Sequence, residues 1–453
     1  MTRRGAWFSL RASLWFIPTL VVVTAATGAL VFIKVDQRFD SAIRQYGPDF
    51  LPIEAEIAQQ ILATIASSMI TVAGVVFSIT MVALSLTANQ YSPRILRTFM
   101  RDRLNQLTLG IFTGGFVYSL LVLQAIDSQQ HVFIPLISVW LAILVALVGI
   151  FFLIAFIHRT AASIQVADIT AIITSETIAA MDSIQCSLKG FGNLTDVDKL
   201  KNFDKLKVHG THQGSDQHAV PALKSGYVQD IDIANLCVLA CQYKVQIQLE
   251  CAVGDFIVEQ HPLLWIYRHD NNNESLESFD QNLQKCFAIN SYRTIEQDPA
   301  FGIRQIVDIA LRALSPGIND TTTAINCLDY LHVILHHALQ MPEMPNVYWE
   351  NGQPRLQIRQ WTPEHLIDIA LNEIRQNGKE NVAVLLRLLR LIRQLLEDKN
   401  LLDEQLANKQ DGERKRLFHH ANLVLHQAKR SIVEPADQEV IAESFNKIAA
   451  LMN

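Results

Sequence analysis

The chain has 453 residues, half of them apolar and 18% charged, with a mean hydropathy of +0.18 and a formal net charge of −6. Ordinary soluble domains are about one quarter charged, so this composition excludes wholesale disorder and argues against a purely soluble enzyme. Charge is unevenly spread: 10 Lys/Arg face 7 Asp/Glu in residues 1–157, and 28 face 37 thereafter, so the acidic second part offers no electrostatic reason to expect nucleic acid as a partner.

Four apolar stretches open the chain. A helix rises about 1.5 Å per residue, so roughly 20 residues cross a hydrocarbon core of ~30 Å. The first stretch is Leu14–Ile33, with Pro18 inside it and Arg3, Arg4 and Arg11 before it. It is longer than a signal-peptide core, and no small-x-small site follows before Lys34, so an uncleaved anchor is expected. The second lies within the charge-free run Ile57–Pro93, longer than a bilayer needs. The third is Leu107–Ile126 and the fourth Val132–Ile157. Arg94, Arg97, Arg101 and Arg103 follow the second stretch, while Asp127 to His131 holds no Lys or Arg. The basic residues therefore predict both termini on the cytoplasmic side of a bacterial inner membrane. Lys34, Arg38 and Arg44 in the first loop weaken that contrast. The same loop carries Asp36, Asp40, Asp49, Glu54 and Glu56, which would favour cations at an outer mouth.

In the second stretch Thr64, Ser67, Thr71, Gly74, Ser78, Met81 and Ser85 recur at three- and four-residue steps and share one helical stripe. Two uses fit such a stripe. Small and hydroxylated residues let membrane helices pack closely; alternatively, hydroxyls line a wet path in an oligomer and solvate an ion without trapping it. Gly110-x3-Gly114, with Gly115, reads as a packing face. No ionisable residue sits in the middle of a stretch, which argues against a proton relay through the bilayer.

Beyond His158 the spacing predicts a helical stalk to residue 186, with Ile164, Ala167, Ala171 and Ile172 on one side. Residues 187–223 read as a polar linker with Gly190, Gly192, Gly210 and Gly214. Residues 224–297 read as a small β-rich mixed domain: strands at Tyr227–Ile233 and Val245–Cys251, a helix at Ala234–Tyr243, and a Gly254-Asp255 turn like those of barrel-sandwich folds. Residues 298–453 read as mainly helical. Asp298-Pro299, Asn319-Asp320 and Thr362-Pro363 are helix starts, and Asn351-Gly352 predicts a hairpin between 347 and 358. The leucine-rich run from Leu385 to Leu396 reads as core. The expected fold is thus a multi-pass α-helical membrane domain of four spans (1–157), followed by a cytoplasmic α+β region with a small β-rich module and a helical C-terminal part.

Several constellations in the second part carry side chains suited to chemistry. Arg304, Asp308 and Arg312 share a helix face: the two guanidiniums suit an anionic ligand or lipid head group, and an ion-pair ladder is the plainer use. Asp329, His332 and His336 share another face but lack a fourth metal ligand. The six cysteines all follow residue 157 and are expected as reduced thiols; Cys237-x3-Cys241 with Cys251 has no zinc spacing. No phosphate-binding loop, dinucleotide fingerprint or nucleophile elbow is present, so neither catalytic residues, metal nor cofactor is expected.

Three segments carry a family resemblance: Ser67–Ser78 (SSMITVAGVVFS), Gln90–Gly110 (QYSPRILRTFMRDRLNQLTLG) and Gln297–Asp320 (QDPAFGIRQIVDIALRALSPGIND). Together they resemble the bacterial predicted-membrane-protein family catalogued as domain of unknown function twenty-two fifty-four. The match is weakest in 187–220 and beyond Pro342, and Thr321 stands where the family pattern implies proline. The resemblance implies membrane placement and no particular activity. Two functions follow as expectations: a homo-oligomeric channel or transport-related protein with a cytoplasmic sensing part, or a membrane-anchored scaffold without a pore. A lipid bilayer is the expected partner, with a small ion or lipid head group as ligand.

Overall fold

The computed structural model describes residues 15–46, 54–90, 103–126, 133–163, 166–189, 216–268, 276–342, 346–350, 352–400 and 411–452. Arg3, Arg4, Arg11, Pro93, Arg94, Arg97, Arg101, the Asp127–His131 loop, Ile164, Asn351 and most of the expected linker (190–215) lie outside them. The chain forms two compact units, Met1–Asp168 and Ile169–Asn453.

The first unit contains four helices: α1 (Phe16–Tyr46), α2 (Ala55–Gln90), α3 (Arg103–Gln124) and α4 (Leu136–Ser163). Each is long and apolar enough to cross a membrane. The expected first loop is corrected: α1 runs on to Tyr46, so Lys34, Asp36, Arg38 and Asp40 ride on the helix. No Gly or Pro interrupts the chain between Lys34 and Gly47-Pro48, so nothing stops the helix earlier. The glycines of α3 seat it against its neighbours. A Cβ at Gly110 would come 3.0 Å from Val21 Cβ, one at Gly114 would come 3.2 Å from Ala25 Cβ, and one at Gly115 would press on Met69 and Val145 at 3.3 Å. Close backbone approach is what small residues provide where no hydrophobic drive separates helix from lipid.

Helix α5 (Val166–Lys189) begins three residues before the second unit and continues into it. Its buried face is Ile169, Thr170, Ile173, Thr174, Thr177, Ala180 and Met181, while Ile172 is exposed. Strand β1 (Asp216–Pro221) follows, inside the expected linker, then β2 (Gly226–Ile231), α6 (Ile233–Gln242), β3 (Gln246–Leu249), β4 (Phe256–Ile257), β5 (Pro262–Arg268), α7 (Leu276–Gln284) and β6 (Phe287–Asn290). The helical part comprises α8 (Pro299–Ala313), α9 (Thr321–Gln340), α10 (Pro363–Asn377), α11 (Val382–Asn400), α12 (Asp411–Ser431) and α13 (Pro435–Ala449), with the hairpin β7 (Val347–Glu350) and β8 (Gln353–Gln357) between α9 and α10.

The strands form a five-stranded sheet ordered β1-β5-β3-β8-β7 and a three-stranded sheet ordered β4-β2-β6. The hairpin closes at Gly352, whose φ of +77° suits glycine. It does not stay with the helices around it in sequence. Strand β8 pairs parallel with β3, Ile247 opposite Leu356, so Tyr348 and Leu356 join Leu236, Ile247, Leu264, Ile266 and Phe279 in one core. Two sheets replace the barrel-like arrangement suggested by the Gly254-Asp255 turn. The predicted helix starts take their expected form: Asp298 accepts from Phe301 N at 3.0 Å, Asp320 from Thr323 N at 3.0 Å, and Thr362 Oγ1 from His365 N at 3.3 Å. Thr321 follows its cap directly, and its hydroxyl accepts a 2.6 Å hydrogen bond from Asn381 Nδ2, a contact proline would lack. Helix α8 is buried almost all round; only Arg304, Asp308, Leu311 and Arg312 reach partial exposure. Leu385, Leu388, Leu389, Leu391, Ile392, Leu395 and Leu396 of α11 are fully inside, as expected of core.

Candidate functional site

Helix α2 has two faces that the sequence alone does not rank. Its packing face is Ala58, Leu62, Ala66, Met69, Ala73, Val76 and Ala83, each at most 5% exposed. Thr64, Ser67, Thr71, Gly74, Ser78 and Ser85 are all exposed. At 3.6 residues per turn the two sets lie about 170° apart, so the hydroxyl stripe points away from its own bundle. Among the described residues, these six positions lie off the face that packs within the chain. Among the described residues, nothing beyond the adjoining residues and backbone of its own helix lies within 4 Å of a Cβ built on Gly74. Exposed Ile70 and Phe77 flank the stripe on one side, Val75 and Ile79 on the other. Thr64 Oγ1 donates to Gln60 O and Thr71 Oγ1 to Ser67 O, both at 2.7 Å. The donors are spent inside the helix, and the lone pairs of the hydroxyl oxygens remain available outward.

A polar node missed by the sequence reading ties the bundle together. Asp36 is 2% exposed and caps the start of α4: it accepts from Ile137 N and Ser138 N at 3.0 Å each and from Ser138 Oγ at 2.6 Å. Orphan N–H groups and the positive end of the helix both favour a carboxylate there. Tyr118 OH donates to Ser138 O at 3.1 Å, adding α3. Asp36 is thus committed inside the fold and is not part of a ring of acids in a loop. The signal that would have exposed it is an Asp one turn beyond an apolar stretch, where a free acid has no cause to be buried.

In the second unit Arg304 is held by Asp308, 3.1 Å from Nε, and by Glu373 of α10, which meets its guanidinium with both oxygens. The carboxylate bonds raise its pKa further. Arg312 is half-buried two turns further on. Carboxylates fill the fork of Arg304 where an anion would have to sit. The Asp329-His332-His336-His337 run is pulled in several directions: Asp329 pairs with Arg387, His336 lies 3.5 Å from Asp398, and His337 lies 2.9 Å from Asp182 of α5. Among the described residues no group of three or more His, Cys, Asp or Glu is placed to hold a metal.

Four cysteines, Cys237, Cys251, Cys286 and Cys327, are buried. Burial pushes the thiols of Cys237, Cys251 and Cys327 up to about 12 and that of Cys286 to about 11, so none is a ready nucleophile. An open cleft of ≈ 510 Å³ lies between the first turns of α10 and α12, lined by Glu364, His365, Asp368, Lys415, Arg416 and His419 among others. Asp368 accepts from Arg416 Nε at 2.6 Å and faces His420 Nε2 at 2.8 Å. Burial works against its charge, yet these bonds hold its pKa below the usual carboxylate range. Asp368, Arg416 and His420 are thus engaged with one another at its edge.

The family model described as "Predicted membrane protein (DUF2254)" matches residues 11–394. Uncharacterized protein Mb1321c of Mycobacterium bovis is similar to this chain, 29% identical over 394 residues that cover 84% of the chain and 71% of that protein. Uncharacterized protein Rv1290c of Mycobacterium tuberculosis is similar to the same extent. No solved structure matches. The family match continues well past Pro342, where the sequence resemblance had weakened. Since it takes in all four apolar helices, both sheets and the helices as far as α11, this chain belongs to that family of predicted membrane proteins.

Proposed function

We propose that the protein sits in the bacterial inner membrane through α1–α4, with both termini in the cytoplasm, and assembles through the outward face of α2 into a homo-oligomer whose hydroxyl stripe lines a polar path. The single observation behind this reading is the placement of Thr64, Ser67, Thr71, Gly74, Ser78 and Ser85 opposite the packing face of α2. The exposed apolar shell supports the bilayer part: Leu20, Val23, Leu147, Phe151 and Ile154 are each more than half exposed, a cost that hydrocarbon surroundings remove. The hydroxyl oxygens of Thr64 and Thr71, with their donors spent internally, favour water and small cations over anions. On this reading the second unit is the water-facing part that senses or gates. The competing role, a scaffold whose helices only anchor it, would leave the α2 stripe in lipid or in a closed contact.

Ser78→Cys should give a disulfide-linked dimer under mild oxidation in membranes, whereas Ala73→Cys, on the buried face, should not. Purified full-length protein in planar bilayers should pass cation current that Ser78→Leu cuts at least tenfold. A folded monomer by detergent-corrected mass would sink the oligomer. A cross-linked oligomer that carries no current would leave the scaffold in its place.

A further inference from the structure

Helices α9 and α11 start side by side and run parallel. Asn381 Nδ2, just before α11, donates at 2.6 Å to the hydroxyl of Thr321, the first residue of α9. Two turns on, Arg387 Nε donates to Asp329, and Nη1 of the same guanidinium donates to Gln394 Oε1 at 3.4 Å. Near the far ends, His336 Nδ1 lies 3.5 Å from Asp398 and its Nε2 lies 3.0 Å from Gln340 Nε2. Asp329, His332, His336 and Gln340 fall on one stripe of α9, as Arg387, Gln394 and Asp398 do on α11. A polar seam thus follows the edge of the helix pair.

His332 sits in the middle of that seam. Solvent does not reach its Nε2, which meets no hydrogen-bond partner among the described residues. The charges that act on it are Asp329 and His336 of α9 and Arg387 and Asp398 of α11. Helices α8 and α10 also pack on α9. Their Arg304, Asp308 and Glu373 are bonded to one another, and Arg375 turns to Gln427. Arg312 neighbours Ala313, whose carbonyl takes Asp320 N, three turns short of His332. Asp182 of α5 goes to His337. On α11 itself Arg390 is exposed and Arg393 pairs with Glu397. Burial above all, then Arg387, holds the His332 imidazole below its usual pKa.

We propose that the α9–α11 seam is a proton-sensitive joint: it is closed while His332 is neutral, and a proton taken up there releases the last two turns of α11 from α9. A neutral imidazole can leave Nε2 as a bare lone pair, which burial tolerates. The imidazolium carries N–H on both nitrogens, so a charged donor would lie buried, without an acceptor, beside the guanidinium of Arg387. That is costly, and the ring escapes the cost by swinging out of the seam. His336 works in the opposite sense, since its protonation strengthens the tie to Asp398. That pair is 38% and 44% exposed on its two sides, however, and a pair so open to water contributes little, so the buried nitrogen of His332 decides the direction. With a folded pKa below the unfolded value of about 6.5, the closed seam has its full strength above that pH and loses it as pH falls. The joint lies wholly within the second unit and does not depend on how that unit meets the membrane. Where the unit acts as the sensing part proposed above, its signal is the proton.

Hydrogen exchange read by mass spectrometry on the full chain tests the joint, in a His420→Gln background that removes the buried histidine of the α10–α12 seam. After correction for the chemical exchange rate, peptides covering residues 391–400 should exchange at least fivefold faster at pH 5.5 than at pH 7.5. Peptides of α8 should hold steady. His332→Gln and His332→Phe cannot ionise, and either should keep the slow rate at both pH values; the second serves if the first does not fold. His336→Gln should leave the acid response in place. The proposal is overturned by no acid response at 391–400, by a response that survives both His332 variants, or by one that His336→Gln abolishes. Equal acceleration in every helix of the second unit would mean general acid unfolding and would overturn it too.

Discussion

Asp368 and His420 meet at the seam of α10 and α12, where Asp368 also takes two bonds from Arg416. His420 is 1% exposed, and burial lowers its pKa despite the neighbouring carboxylate. A histidine buried in neutral form binds its proton more readily in the unfolded chain. Its contribution to stability is therefore complete above about pH 6.5 and is lost as pH falls from there toward the lower folded value. Asp368, with its folded pKa depressed, adds a second loss only at more acid pH. His420→Gln keeps a donor to Asp368 and should flatten the fall in melting temperature between about pH 7 and pH 5; an unchanged slope would place the titration elsewhere. Arg375 is a second case legible only in the structure. It is 9% exposed, and its guanidinium donates to the amide oxygen of Gln427 at 2.9 Å rather than to a carboxylate. A buried cation so poorly compensated is a net cost. Arg375→Met should therefore leave the unfolding temperature of the second unit unchanged or raise it by about 2–4 °C, the shift expected for ~1 kcal/mol in a domain of this size. A large drop would show that the guanidinium is compensated after all.

At the scale of elements, two contacts decide which helices belong together. Helix α5 meets α8 where Gly302 has no side chain: a Cβ there would fall 1.9 Å from Thr177 Oγ1. Gly302→Ala should cost about 1–3 kcal/mol, the usual range for overpacking. Thr177→Ala should restore part of that in the double variant, and strict additivity in a double-mutant cycle would mean the two do not touch. The sequence marks Gly302 only as one glycine inside a strong helical pattern, because a partner 125 residues upstream leaves no local trace. In the first unit Asp36 plays the corresponding part between α1 and α4. Asp36→Ala leaves Ile137 N, Ser138 N and Ser138 Oγ without their acceptor, and should cost about 1–2 kcal/mol, as loss of a strong cap does. Heat stability in detergent, compared with Asp40→Ala, would measure it.

For the whole molecule, the open question with a definite answer is sidedness. Cys186 is exposed at the end of α5, whereas Cys237 is buried. Cys186 is thus the natural reporter for the second unit. A membrane-impermeant maleimide should leave it unlabelled in intact cells and label it after permeabilisation. Labelling in intact cells would reverse the proposed orientation.

What the sequence determined alone are the properties written in local composition and spacing. Apolar runs of about 20 residues mark the four long helices, because their length and lack of charge are set within each segment. Capping residues mark the starts of α8, α9 and α10, because a cap is closed within three residues of itself. Asn351-Gly352 marks the hairpin for the same reason. Tertiary structure decided what depends on partners distant in the chain: that β8 joins β3, that Asp36 caps α4 instead of facing solvent, and that Arg304 is occupied by Glu373. It also decided which face of α2 is packed. The periodicity of that helix marks the hydroxylated stripe but not whether it is covered, and only the placement of α3 and α4 determines which face they meet.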